Sequence, residues 1–108
     1  MRGSDDLPFT SVVVAAYQAA ATLGDCLESL VRLEFPSDRL EIICVDNDST
    51  DDTARIARSF APAVTTVHES RRGAAAARNR GVAVARGEVT AFTDADCTVS
   101  PSWLRSGR

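Results

Sequence analysis

Apolar positions fall into short runs that alternate with segments where they recur every three to four residues. Residues 10–16, with Val12, Val13 and Val14 at their centre, form a continuous apolar run of strand length, as expected for a parallel strand covered on both faces. After Tyr17 and Gln18, Thr22 is placed to cap a helix with Asp25 three residues on, and Leu23, Leu27, Leu30 and Val31 follow at helical spacing until Pro36. Residues 40–45 read as a second strand. Ser49 and Asp52 repeat the capping pattern ahead of a helix over 53–60, whose Ile56, Ala57 and Phe60 share a face. Residues 63–68 predict a short, more polar edge strand. Residues 73–85 predict an alanine-rich helix stopped at Gly87, 89–93 a fourth strand, and 100–104 a turn leading into another helix.

Strands alternating with helices imply right-handed crossovers and a mainly parallel sheet of about four strands with helices on both faces, an α/β architecture whose ligands bind outside the carboxyl ends of the strands. Tyr17, residues 46–48, residues 69–73 and residues 94–96 each follow a strand, so one crevice is expected to collect them. Two acidic clusters stand out there, Asp46-Asn47-Asp48 and Asp94-Ala95-Asp96. An Asp-x-Asp at a strand end supplies hard oxygen ligands for Mg2+ or Mn2+, and such an ion bridges phosphate oxygens. An isolated Asp-x-Asp is more often a solvated loop; its position after a buried strand, with a second acidic cluster beside it, favours the metal reading. Capping accounts for Ser49, Asp51 and Asp52. Asp46, Asn47 and Asp48 are left for another task, such as accepting from the N–H groups on the edge of a nucleobase. Of Arg71, Arg72, Arg78 and Arg80, which flank the start of the alanine-rich helix, Arg78 is singled out for phosphate; a solvated arginine face is the competing view.

Composition narrows the chemistry. The chain has 108 residues, 44% of them hydrophobic and 25% charged, with a net charge of −3. It is one domain with no basic stripe, so nucleic acid is excluded as a general partner. All 12 basic residues are arginine, which removes the Walker lysine, Schiff-base chemistry and the lysine a response-regulator receiver needs. No G-x-G-x-x-G follows the first strand, against a dinucleotide fold. Three widely spaced cysteines, Cys26, Cys44 and Cys97, with a single histidine, His68, indicate neither a zinc site nor a disulfide framework and fit a reducing cytosol. No apolar run approaches the ~20 residues of a membrane helix, and the N-terminus is too polar for a signal peptide.

Four segments, in order, resemble the motifs of family 2 glycosyltransferases, the inverting GT-A enzymes that use nucleotide-diphospho-sugars. Residues 11–18 (SVVVAAYQ) resemble S-V-V-I-P-T-Y-N, and residues 41–51 (EIICVDNDSTD) resemble E-I-I-V-V-D-D-G-S-T-D. Arg72-Gly73 through Gly81 resembles N-x-G-x-x-x-A-R-N-x-G, and residues 85–96 (ARGEVTAFTDAD) resemble A-x-G-E-x-I-x-F-L-D-A-D. The family's Pro-Thr is Ala15-Ala16 here, its Asn is Gln18, its second Asp is Asn47, and the acid that often follows D-x-D is Cys97.

The resemblance implies a GT-A, Rossmann-like fold and a nucleotide-diphospho-sugar donor, carrying UDP or another nucleoside diphosphate. It implies nucleotide-binding roles for Ala15, Tyr17, Asp46, Asn47, Asp48, Arg78 and Asp94, and a Mn2+ or Mg2+ ion held by Asp96 with Asp94. No catalytic residue is expected in this chain, because the acceptor half and its general base would follow residue 108. The expected organisation is a disordered or leader segment over 1–8, a donor-binding half over 9–104 and a tail over 105–108. An exposed sheet edge is expected to favour oligomerisation. The expected location is cytoplasmic, with the cytoplasmic membrane face as a peripheral alternative. The rival from another class is a catalytically inactive nucleotide-binding or interaction module.

Overall fold

A computed structural model of the chain describes residues 7–106. Four strands, β1 (Thr10–Ala16), β2 (Leu40–Asp46), β3 (Val64–His68) and β4 (Val89–Asp94), form one sheet in the order β3-β2-β1-β4, and every pair is parallel. The helices are α1 (Leu23–Val31), α2 (Thr53–Arg58), α3 (Ala74–Val84) and α4 (Trp103–Ser106), with a 3-10 turn at Ser37–Arg39. The expected alternation is therefore present, and β3 lies at an edge as its polarity predicted. Residues 1–6 of the expected leader and 107–108 of the expected tail lie outside the described residues, while Arg105 and Ser106 of that tail belong to α4.

The sheet separates two apolar layers, as strand alternation requires. Val12, Val14, Ala16, Ile42 and Cys44 face α1 and α2 through Leu23, Leu27, Leu30 and Ala57, with Trp103 and Leu104 packed against this layer. Val13, Ile43 and Val45 face α3 through Ala77. Gly81 allows that second contact, since a Cβ there would collide with Val13 Cγ1. Burial pushes the Cys44 thiol up to about 12, helped by Cys26 and Asp46, which marks it as an inert core residue. No helix among the described residues is long and apolar enough to cross a membrane.

At the amino ends of the strands, Glu41 ties three segments together. Its Oε2 accepts from the Ser11 hydroxyl and from the Arg86 backbone N–H, both at 2.5 Å, and its Oε1 accepts from Arg86 Nε at 3.2 Å. Ser11 in turn accepts from the Gly87 N–H at 2.8 Å. Desolvation raises the Glu41 pKa, but the Arg86 N–H, the Ser11 hydroxyl and the Arg86 guanidinium outweigh it and hold the carboxyl below its ordinary value. A lowered folded pKa contributes stability above the unfolded value and loses it as pH falls through the folded one. Glu41→Gln should therefore destabilise the fold by about 1–3 kcal/mol at neutral pH. In urea melts, the difference from the parent should shrink below about pH 4.3; a difference that stays constant to pH 3 contradicts the role of the charge.

Candidate functional site

Because all four strands run the same way, their carboxyl ends and the loops that leave them share one rim. The loop after β1 carries Tyr17 and is fastened to the loop after β2. Gln18, at φ 50°, donates its N–H to Ser49 Oγ (3.0 Å), and its Oε1 accepts from the Thr50 N–H (2.6 Å). Ala19 N–H donates to Thr53 Oγ1 (2.8 Å) and Ala20 N–H to Asp51 Oδ2 (3.2 Å). These partners explain why the expected capping bonds are missing, although α1 follows Thr22 and α2 begins at Thr53 as expected. Neither α1 nor α2 has a side-chain N-cap bond. Ser49 is used between loops, while the Thr22 hydroxyl donates to the Ala95 carbonyl at 3.0 Å.

The loop between β3 and α3 is held by Asn47, which is 4% exposed. Its Nδ2 donates to the carbonyls of Glu69 (3.0 Å) and Arg71 (2.7 Å), and its Oδ1 accepts from the Gly73 N–H (2.9 Å). An aspartate here could not donate to two carbonyls, so the amide at this departure from the family pattern has a local structural use. Gly73 sits at φ 123°, which a side chain would strain. The clamp fixes one wall of a cleft of about 420 Å³ lined by Ala15, Ala16, Tyr17, Asn47, Arg72, Gly73, Ala74 and Ala77. Across it the Arg72 guanidinium lies 3.7 Å from the centre of the Tyr17 ring, a cation–π contact.

On the other side of β1, the turn after β4 gathers Asp94, Asp96 and Cys97, whose ligand atoms all lie within 4.8 Å of one another. The Cys97 N–H closes the turn on the Asp94 carbonyl at 3.0 Å. The Cys26 thiol, 3.5 Å from the same carbonyl, supports it from α1. Burial, followed by Cys97, Asp96 and Asp94, pushes Cys26 up to about 11. The hydrogen bond from its thiol to Asp96 is the first cause raising the Cys97 pKa. Two carboxylates with a neighbouring thiol, all exposed, are a donor set that fits a divalent cation.

The structure brings Ala15, Tyr17 and Asn47 to the cleft and Asp94 with Asp96 to the acidic turn. Asp94 pairs in register with Ala15, on the α3 side of the sheet. Asp46 pairs with Ala16, on the α1 side, because parity of register decides the face. It is 5% exposed and its Oδ1 accepts from the Ser49 N–H at 3.2 Å. β1 lies between the strands that carry the two acidic clusters. Asp48 turns outward to His68 Nε2 at 3.0 Å, and Arg78 is exposed on α3 outside the cleft lining. The arginine brought to the cleft is Arg72. Its place immediately before Gly73 was its sequence signal, but four arginines shared that neighbourhood.

Residues 11–107 match the model of Glycosyl transferase family 2. The chain belongs to this family. Glycosyltransferase AglE of Haloferax volcanii is 35% identical over 105 residues, covering 94% of this chain and 34% of that protein. The uncharacterized glycosyltransferase YibD of Escherichia coli is 40% identical over 95 residues, covering 85% and 27%. Among solved structures, mannosyltransferase PcManGT from Pyrobaculum calidifontis, in complex with GDP-Man and Mn2+, superposes with a TM-score of 0.84 at 35% identity, covering 90% of this chain and 30% of that one. S. aureus TarS 1-349 in complex with UDP-GlcNAc gives 0.80 at 26% identity, covering 89% and 29%. This family 2 chain has a GT-A-like α/β fold and spans 27–34% of the length of the four relatives named above.

Asn47→Leu would leave the Glu69 and Arg71 carbonyls and the Gly73 N–H without their partner. It should destabilise the protein by about 2–3 kcal/mol in urea and speed amide hydrogen exchange over residues 69–73. Unchanged exchange there would remove Asn47 as the clamp.

Proposed function

We propose that this chain is the donor-binding part of an inverting glycosyltransferase that binds a nucleotide-diphospho-sugar in a metal-dependent manner. The observation that carries the reading is the adjacency, across β1, of an aromatic-walled cleft and a paired-carboxylate turn on one rim. The solved relatives in complex with GDP-Man and Mn2+ and with UDP-GlcNAc support it.

The base and ribose would occupy the cleft beside Ala15 and the Tyr17 ring. Both Nδ2 hydrogens of Asn47 are committed to the loop, so its contribution to the base would be the second lone pair of Oδ1, accepting from a ring N–H. Asp96, with Asp94, would hold Mn2+ or Mg2+; when bound, the ion supplies positive charge to a departing diphosphate. Asp94, on the same sheet face as Ala15, would lie toward the ribose or sugar. Asp46 would act behind this surface by shaping the turn at Ser49, and Asp48 and Arg78 would meet only parts of the donor that extend beyond the cleft. No residue of this chain is assigned as the base that activates the acceptor. The three free cysteines accord with work on the cytoplasmic side.

Calorimetry with UDP-GlcNAc and GDP-mannose, each with Mn2+ and with EDTA, tests the reading. Binding of one donor should need the metal, and Asp96→Asn should weaken it at least about tenfold with unchanged circular dichroism. Affinity that is equal in EDTA and in the variant would refute metal-dependent binding. Donor binding without sugar turnover would identify the chain as a binding module.

A further inference from the structure

The contact between Arg72 and Tyr17 has no part in the fold's core. Tyr17 is 45% exposed and forms one wall of the cleft, and the guanidinium opposite covers the ring face that a planar ligand would use. The backbones carrying the two side chains are anchored separately, Tyr17 by the Gln18, Ala19 and Ala20 bonds and Arg72 by the Asn47 clamp. The main chain therefore has little freedom to widen the gap, whereas an exposed arginine side chain changes rotamer readily. At 3.7 Å the ring and guanidinium are already in stacking contact, with no space for a base between them. No carboxylate is recorded in an ion pair with Arg72 among the described residues, so once displaced its charge is available to an anion.

We infer that Arg72 is a displaceable cover on Tyr17 that selects phosphorylated nucleotides over bare nucleosides. The inference rests on the donor-binding reading above. A base must expel the guanidinium from the ring, which penalises every ligand equally. Only a ligand with a diphosphate gives the released cation a partner in return, through charge-assisted hydrogen bonds. Arg72 is thus a specificity-determining residue, and its effect has opposite signs for the two ligand classes.

Calorimetry on the protein with Mn2+ present compares uridine with UDP-GlcNAc and guanosine with GDP-mannose, using whichever pair the parent binds. Arg72→Ala should tighten nucleoside binding about two- to fivefold, the worth of an exposed cation–π contact, and weaken the nucleotide sugar about tenfold. Arg72→Lys keeps the charge but lacks the planar group that stacks. It should hold the nucleotide sugar within about twofold to threefold of the parent while still tightening the nucleoside. If both affinities fall together in Arg72→Ala, or neither changes, the cover is refuted while the donor site stands. If the parent binds none of the four ligands, the donor-binding reading itself fails, and the inference with it.

Discussion

The rim depends on one carboxamide. Asn47 continues the ladder from β2 by donating its backbone N–H to the Ala16 carbonyl at 2.8 Å, while its side chain holds three groups of the loop ahead of α3. A single buried residue thereby couples β1, β2 and the start of α3. Without that coupling the cleft wall would be left with the bond from the Glu69 N–H to the Asp46 carbonyl and the local bond from the Arg71 N–H to the Glu69 carboxylate. Net hydrogen-bond contributions are modest when partners are exchanged with water, but here all the partners sit at the mouth of a concave surface. Losing the clamp would alter the geometry of the cleft as well as its stability.

The two halves of the rim are built by different means. On the β2 side, amide and hydroxyl groups make a dense network in which most polar atoms are already satisfied within the protein. On the β4 side, Asp94, Asp96 and Cys97 are exposed and are supported from below through backbone carbonyls, with Thr22 gripping Ala95 and Cys26 touching Asp94. Support comes through the main chain, and among the described residues neither carboxylate is paired with a cation.

The order of elements was legible because buried parallel strands read as unbroken apolar runs, and Val12 to Val14 and Ile42 to Val45 are such runs. The acidic turn was legible because it directly follows the run that forms β4, although β4 is an edge strand with Val89 and Phe92 exposed and not the buried strand expected. Helix starts were legible too, α1 following Thr22 and α2 beginning at Thr53, but the bonds made by the capping residues were not. Thr22, Ser49 and Asp51 match local capping patterns, but partners distant in the chain claim the hydroxyls of Thr22 and Ser49, and Asp51 serves Ala20 as well as the start of α2. The side to which Asp46 points was also hidden, because it depends on register with β1. Arg72 could not be told from its neighbours until Tyr17 was placed opposite it.

β1 is an interior strand with one neighbour near in sequence and one distant: β2, the next strand, pairs with it along one edge and β4, beyond α3, along the other. During synthesis, Val12 to Val14 therefore wait with one ladder unfilled until Asp94 has left the ribosome. Such late, long-range closure slows folding and exposes an apolar strand edge meanwhile. A nascent chain of this topology is most in need of a chaperone in the interval between completing α3 and completing β4.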